Sequence, residues 1–76
     1  MNNYVVELEG CDASTYFKIS LTEMERDFVI KLCRQANEAS QGSCEPRMFI
    51  YIDEGYTVKS YDSDYIPREK DLSGKP

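Results

Sequence analysis

The side chains best suited to chemistry in this 76-residue chain are its three cysteines, Cys11, Cys33 and Cys44. Cysteine thiolates bind zinc and act as nucleophiles. The spacings here, 22 and 11 residues, contain none of the close ligand pairs that are typical of structural zinc sites. An odd number of cysteines also fits a disulfide framework poorly. We therefore expect three free thiols, and we keep a thiol- or metal-dependent activity of these cysteines as the alternative function.

Carboxylate pairs are the second possible source of chemistry, and they occur as Glu7 with Glu9, Asp53 with Glu54, and Asp62 with Asp64. The chain has no histidine, which removes the commonest general base and the commonest metal ligand. Its four glycines are scattered and form no phosphate-binding loop. Acids also line wet strand faces and turns in most proteins. We therefore predict that the chain is not an enzyme and holds no metal or cofactor.

The elements that position these side chains begin with a hairpin. Apolar and polar residues alternate over residues 4–9 and 14–20, which is typical of strands with one face in water. Turn-forming residues lie between them. Residues 47–52 predict a third strand that is apolar on both faces, and residues 56–61 predict a weaker fourth strand.

A helix is predicted after the hairpin, ending at about Ser40. Capping boxes can start at Ser20 or Thr22, and we favour Thr22 because acidic residues then occupy the first turn. At about 100° per residue, one side of this helix is apolar. We expect that side to face the sheet, and its members are Met24, Phe28, Leu32 and Ala36.

These elements predict an α+β fold, a single small domain with the order ββαββ. One helix would pack on one face of a mostly antiparallel four-stranded sheet with the strand order 2-1-3-4. The domain would span residues 1–61, and residues 62–76 would form a mobile C-terminal tail because their sequence shows no periodicity. The sheet residues expected in the core are Val6, Leu8, Phe17, Ile19, Ile50 and Ile52.

Composition narrows the functional classes. The chain is 41% hydrophobic and 30% charged, which is ordinary for a globular protein. A net charge of −5 disfavours binding to nucleic acid or to an anionic membrane surface. No apolar run approaches the roughly 18–20 residues that span a bilayer, and no basic stretch follows Met1, so we expect a cytoplasmic protein.

A single helix covers one sheet face only, so the sequence predicts that the other face is open, rich in tyrosine and bordered by acids. The residues expected to bind a partner there are Glu7, Glu9, Tyr16, Phe49, Tyr51, Asp53, Glu54 and Tyr61. Tyrosine is frequent in interfaces, and acidic groups attract basic partners. We therefore expect a non-catalytic, acidic protein-binding module with a basic protein partner, or one that self-associates through the Tyr-rich face.

The short, acidic, histidine-free profile is similar to that of phage-encoded proteins that inhibit host machinery. An inhibitor of a basic or nucleic-acid-binding host protein is therefore one form of this hypothesis.

Overall fold

A computed structural model describes residues 1–40, 46–56 and 66–74. The fold is α+β, with one α-helix on a three-stranded antiparallel sheet of order β2-β1-β3. The elements are β1 (Asn2–Glu9), β2 (Ser14–Leu21), α1 (Glu23–Ala39) and β3 (Arg47–Ile52), followed by a short 3₁₀ helix, η1 (Arg68–Lys70). The predicted hairpin, helix and third strand are confirmed. Alternation identified the hairpin because the side chains of a strand point to opposite faces in turn.

The strand register puts the central apolar residues on one face. Val6 of β1 lies opposite Phe17 of β2 and opposite Ile50 of β3. Tyr4, Val6 and Ile50 are buried on this face together with Cys33 of the helix. The core therefore lies between α1 and the sheet, mainly over β1 and β3, and Leu21 at the end of β2 belongs to it as well.

The predicted fourth strand, residues 56–61, lies outside the described residues except for Tyr56, which is not in a strand. The outer edge of β3, where that strand was expected to pair, is occupied at Met48 by a side chain. The Asn37 amide accepts from the Met48 N–H at 2.8 Å and donates to the Met48 carbonyl at 2.9 Å. Asn37 therefore supplies the two hydrogen bonds that a neighbouring strand would make at this position.

The same edge is occupied at Ile50 by residues near the C-terminus. The Ile50 N–H donates to Oδ1 of Asp71 at 3.0 Å, and the Leu72 N–H donates to the Ile50 carbonyl at 2.7 Å. An unpaired strand edge invites pairing with another chain. These contacts protect β3 from such pairing over Met48–Ile50.

The N-terminus of α1 has the capping box that we favoured. The Thr22 hydroxyl accepts from the Glu25 N–H at 3.2 Å, and the Glu25 carboxylate accepts from the Thr22 N–H at 2.9 Å. Both bonds satisfy backbone donors that have no partner inside the helix. Glu23 and Glu25 lie in the first turn, where the helix dipole favours negative charge.

The orientation of α1 differs from the prediction. Cys33 is its buried residue, and Val29 and Ile30 pack against the core. The side expected to face the sheet points away from it: Met24, Phe28 and Leu32 are exposed. Two features fix this orientation. The Asn37 side chain is hydrogen-bonded to the backbone of Met48, and the small, buried Cys33 side chain faces the sheet. Consequently the predicted core is wrong at Leu8, Phe17 and Ile52, which are also exposed.

Residues 66–74 are packed against the sheet, in a region that was expected to be a mobile tail. Ile66 is buried with Phe49 and Tyr51 on the sheet face opposite α1. Leu72 packs against the core on the α1 side. The segment therefore wraps around the outer edge of β3, and we call residues 66–74 the C-terminal hook. Ile66 and the partly buried Leu72 pack on opposite faces of the sheet, which explains why no single-face periodicity revealed the segment.

Within residues 1–40, 46–56 and 66–74, no helix combines the length and the apolar character needed to cross a membrane.

Candidate binding surfaces

The sheet face opposite α1 is organised around the carboxylate of Glu7, whose side chain is 1% exposed. Oε1 of Glu7 accepts from the Tyr51 hydroxyl at 2.8 Å. Oε2 accepts from the Ser14 hydroxyl at 2.8 Å and from the Tyr16 hydroxyl at 3.3 Å. A buried carboxylate is costly unless its oxygens are hydrogen-bonded, and here two hydroxyl groups of β2 and one of β3 contribute. The cluster joins β1, β2 and β3 on this face.

Arg68 of the C-terminal hook completes the cluster. Its guanidinium donates to Oε2 of Glu7 at 3.1 Å and also pairs with Glu9. The same guanidinium lies 4.0 Å from the centre of the Phe49 ring, a cation–π contact. One cation thus neutralises the buried acid, binds a second acid and covers an aromatic ring. We call Glu7, Tyr16, Tyr51 and Arg68 the Glu7 cluster.

The electrostatics of this cluster keep its donors protonated. Burial, together with the hydrogen bond to Glu7 and its negative charge, raises the pKa of Tyr51 far above its ordinary value. Burial and the Glu7 charge also raise the pKa of Tyr16. Burial lowers the pKa of Arg68, but the hydrogen bond to Glu9 and the charge of Glu7 outweigh it, and the net pKa is raised. The two tyrosine hydroxyls and the Arg68 guanidinium therefore stay protonated near neutral pH, and as donors they hold the sheet and the hook together.

The C-terminal hook covers the face that was expected to be open. Ile66 packs with Val5, Phe49 and Tyr51, all of which are buried. Tyr51 is completely closed to solvent. The expectation that this Tyr-rich face is open to solvent is therefore wrong at Val5, Phe49 and Tyr51. The physical reason is that the hook supplies an apolar side chain and a cation that satisfy the apolar and acidic groups of this face.

The acidic border of that face is paired with cations of the same chain. Asp53 lies 3.6 Å from the Lys18 ammonium, and Glu54 lies 3.1 Å from the Lys70 ammonium. Exposed ion pairs of this kind contribute little to stability, but they reduce the field available to attract a partner.

The eight residues predicted to bind a partner are therefore distributed over different environments. The structure brings four of them together around Arg68: Glu7, Glu9, Tyr16 and Tyr51 contact each other or that guanidinium. Phe49 lies under Arg68, and Asp53 and Glu54 form the separate ion pairs described above. Tyr61 lies outside the described residues. The residues around Arg68 therefore connect the sheet to the C-terminal hook within one chain.

The cysteines also differ from the expectation of three free thiols. Cys11 is disulfide-bonded, Cys33 is a buried free thiol, and Cys44 lies outside the described residues. Burial, aided by the charge of Asp71, raises the pKa of Cys33 to about 11. A protonated, inaccessible thiol is a poor nucleophile. Over the described part of the chain, no group of three or more His, Cys, Asp or Glu residues is placed to hold a metal ion.

A different surface is exposed on the α1 side of the sheet. Met24, Phe28 and Leu32 follow one another at intervals of one helical turn, and they are 83%, 61% and 43% exposed. We call these three residues the α1 stripe. Hydropathy spacing identified the stripe correctly, but assigned it to the core.

The sheet beside the α1 stripe is also apolar and open. Leu8 of β1 is 43% exposed and Phe17 of β2 is 37% exposed. Both residues share the sheet face of Val6, which α1 covers at the β3 side. We call Leu8 and Phe17 the sheet floor. The α1 stripe and the sheet floor thus expose five apolar side chains on the α1 side of the sheet.

The chain was compared with known families, curated proteins and solved structures. No family model, no curated protein and no solved structure matches it.

Proposed function

We propose that this chain is a non-catalytic protein-binding module, and that it binds through the α1 stripe and the sheet floor. The observation that supports this most is the exposure of three large apolar residues in a row on α1 beside two more on the sheet. Large contiguous apolar patches on small proteins usually mark interaction sites. The surface is thus a better candidate than the Tyr-rich face, which the C-terminal hook covers.

The environments of the reactive groups support a role without catalysis. Glu7 has its oxygens occupied by donors from the sheet and the hook. Cys33 is buried and protonated at neutral pH because its pKa is raised to about 11. No observation among the described residues favours the thiol- or metal-dependent alternative, so it is not proposed further.

The basic partner expected from the net charge has less support than an apolar contact. Four of the acids expected to attract it lie in ion pairs within the chain: Glu7, Glu9, Asp53 and Glu54. A partner that displaced these cations would lose part of the charge attraction that it gained. The cytoplasmic location and the inhibitor role stay predictions from the sequence.

A paired set of variants tests the proposed surface. The stripe variant combines Phe28→Gln with Leu32→Gln, and the matched control combines Asp27→Gln with Lys31→Gln. Both variants place two glutamines in exposed positions of the same helix, and both preserve the net charge. Each protein is immobilised and used to retain binding partners, with circular dichroism to verify the helix. We expect the wild type and the control to retain the same protein, and the stripe variant to lose it. Equal retention by all three would overturn the proposed surface.

A further inference from the structure

We propose that the partner of this surface is a second copy of the chain, with each copy laying its α1 stripe over the sheet floor of the other. This inference rests on the proposed function, because it names the occupant of the same surface. It differs from the expected self-association through the Tyr-rich face, which the C-terminal hook covers.

The first step is the direction in which the α1 stripe points. Asn37 contacts Met48 at the outer edge of β3, and the Arg34 guanidinium donates to the carbonyl of Ser73 in the hook at 3.3 Å. One flank of α1 is therefore turned towards the outer edge of β3. At about 100° per residue, Leu32 and Phe28 lie roughly 100–140° from Cys33 in the opposite rotational direction. The stripe therefore begins on the flank that faces β1 and β2, and it continues onto the back of the helix.

The second step is the space beside α1. Three strands at about 4.8 Å spacing are wider than one helix of about 10 Å diameter. Because α1 packs over the β3 side, the sheet floor on the β2 side is left for another element. Each copy offers both a stripe and a floor. A two-fold pair can therefore bury both surfaces of both copies, which is the self-complementary arrangement of an isologous dimer.

The third step is charge. A net charge of −5 makes two copies of the chain repel each other, and a contact between uncharged side chains adds no further like-charge repulsion at the interface. The α1 stripe and the sheet floor are uncharged. Glu7 and Glu9, which both pair with Arg68, lie on the opposite sheet face. A basic partner would find no carboxylate to pair with among the five apolar side chains. The charge distribution thus favours an apolar, self-associating contact here.

The fourth step is area. An aromatic side chain buries about 150–250 Å² when fully enclosed. With the observed exposed fractions, the five side chains offer on the order of 500 Å² per chain. Two copies would bury about 1,000 Å² in these contacts alone, close to the lower end of the range for specific complexes, about 1,200 Å². We therefore expect a reversible dimer with a dissociation constant in about the micromolar range.

Sedimentation of the full chain across a roughly hundredfold concentration range around that value is the direct test. We expect the wild type and the Asp27→Gln/Lys31→Gln control to convert from monomer to dimer as concentration rises. We expect the stripe variant, Phe28→Gln/Leu32→Gln, to stay monomeric with an unchanged circular dichroism spectrum. A stripe variant that dimerises like the wild type would overturn the inference.

A mixing experiment tests the arrangement itself. The floor variant Phe17→Gln keeps an intact stripe, and the stripe variant keeps an intact floor. Each variant alone lacks an intact contact in its homodimer, but a mixed dimer has one intact stripe-on-floor contact of the two. We expect the mixture to associate at least several-fold more tightly than either variant alone. A dimer formed by stripe-to-stripe packing or by pairing along the β2 edge would show no such gain in affinity on mixing. The absence of that gain would therefore overturn the proposed arrangement.

The two proposals can fail separately. If the wild type is monomeric over the whole range but a different protein is retained in a stripe-dependent way, the second-copy inference is wrong and the binding-module proposal stands. If the wild type is monomeric and the stripe changes affect no retained protein, both are wrong.

Discussion

The hydroxyl of Tyr51 in β3 donates to the carboxylate of Glu7 in β1 at 2.8 Å, and both residues are closed to solvent. Such a carboxylate is tolerated in a protein interior only with several donors around it. Arg68 is the cationic donor in this cluster, and it comes from the C-terminal hook. The position of the hook and the burial of the Glu7 carboxylate in the sheet are therefore coupled.

The first prediction concerns the two acids that share Arg68. Glu7→Gln removes a buried charge while leaving Tyr51 and Arg68 in place, so we expect the free energy of unfolding to fall by about 2–4 kcal/mol. Glu9→Gln is the matched control, because the Glu9 side chain is 30% exposed, and we expect a loss below about 1 kcal/mol. Urea denaturation of the two variants measures both values. Equal losses of unfolding free energy in the two variants would show that the burial of Glu7 does not determine how much it contributes to stability.

The second prediction concerns the attachment of the hook to β3. Oδ1 of Asp71 accepts from the Ile50 N–H and also from the hydroxyl of Ser73, at 3.0 and 2.7 Å. Asp71→Ala would leave the Ile50 N–H without this acceptor, at a cost of about 1–3 kcal/mol. We expect faster hydrogen exchange at the Ile50 amide. Glu69→Ala, an exposed change in the same segment, should leave that exchange rate unchanged. A protected Ile50 amide in Asp71→Ala would contradict the role of this contact.

The sequence was sufficient to predict the strands because their signal is local. Alternation in residues 4–9 and 14–20 marks a hairpin without any knowledge of the rest of the chain. The Thr22 capping box is equally local, since both of its hydrogen bonds join residues three apart. Because both signals are local, the predictions of the hairpin and of the capping box agree with the structure.

The Glu7 cluster could not be predicted in this way, because its members are far apart in the chain. Arg68 and Glu7 are separated by 61 positions, and nothing in the spacing of either residue indicates the other. A weak signal was nevertheless available. Glu7 lies on the same side of β1 as Val5, and the facing strand β3 is apolar on both sides, which indicates burial on both faces.

The orientation of α1 is the instructive error. Hydropathy places the apolar side of a helix on a sheet, but it has no means of recognising that Asn37 hydrogen-bonds the backbone of β3. A polar residue that satisfies a strand edge belongs on the inner face, although its hydropathy assigns it to solvent. The exposed α1 stripe that results is the surface proposed for binding.

The third prediction tests this orientation. Phe28 is 61% exposed, whereas Ile30 packs against the core. In solutions dilute enough to be monomeric, Phe28→Ala should change the free energy of unfolding by less than about 1 kcal/mol. Ile30→Ala should cost about 1–3 kcal/mol because it removes packed methyl groups. Thermal or urea unfolding distinguishes the two. A larger loss for Phe28→Ala would restore the orientation that hydropathy predicts.

The fourth prediction is the response of stability to alkaline pH. The pKa of Cys33 rises from 9.0 to about 11 on folding, mainly through burial. Above pH 9.0 the unfolded chain loses a proton that the folded chain retains. The free energy of unfolding should therefore be constant below that pH and should decrease as the pH rises through the interval. The limiting slope is about 1.4 kcal/mol per pH unit.

Cys33→Ala separates the thiol from the tyrosines, whose raised pKa values act in the same direction at higher pH. Its unfolding free energy should be lower throughout because a buried side chain is shortened, and between about pH 9 and pH 10 it should decline less steeply than that of the wild type. Urea unfolding at a series of pH values measures both curves. Parallel curves over that range would mean that the Cys33 thiol ionises equally easily in the folded and unfolded chains, and would contradict the effect of burial and of Asp71 on its pKa.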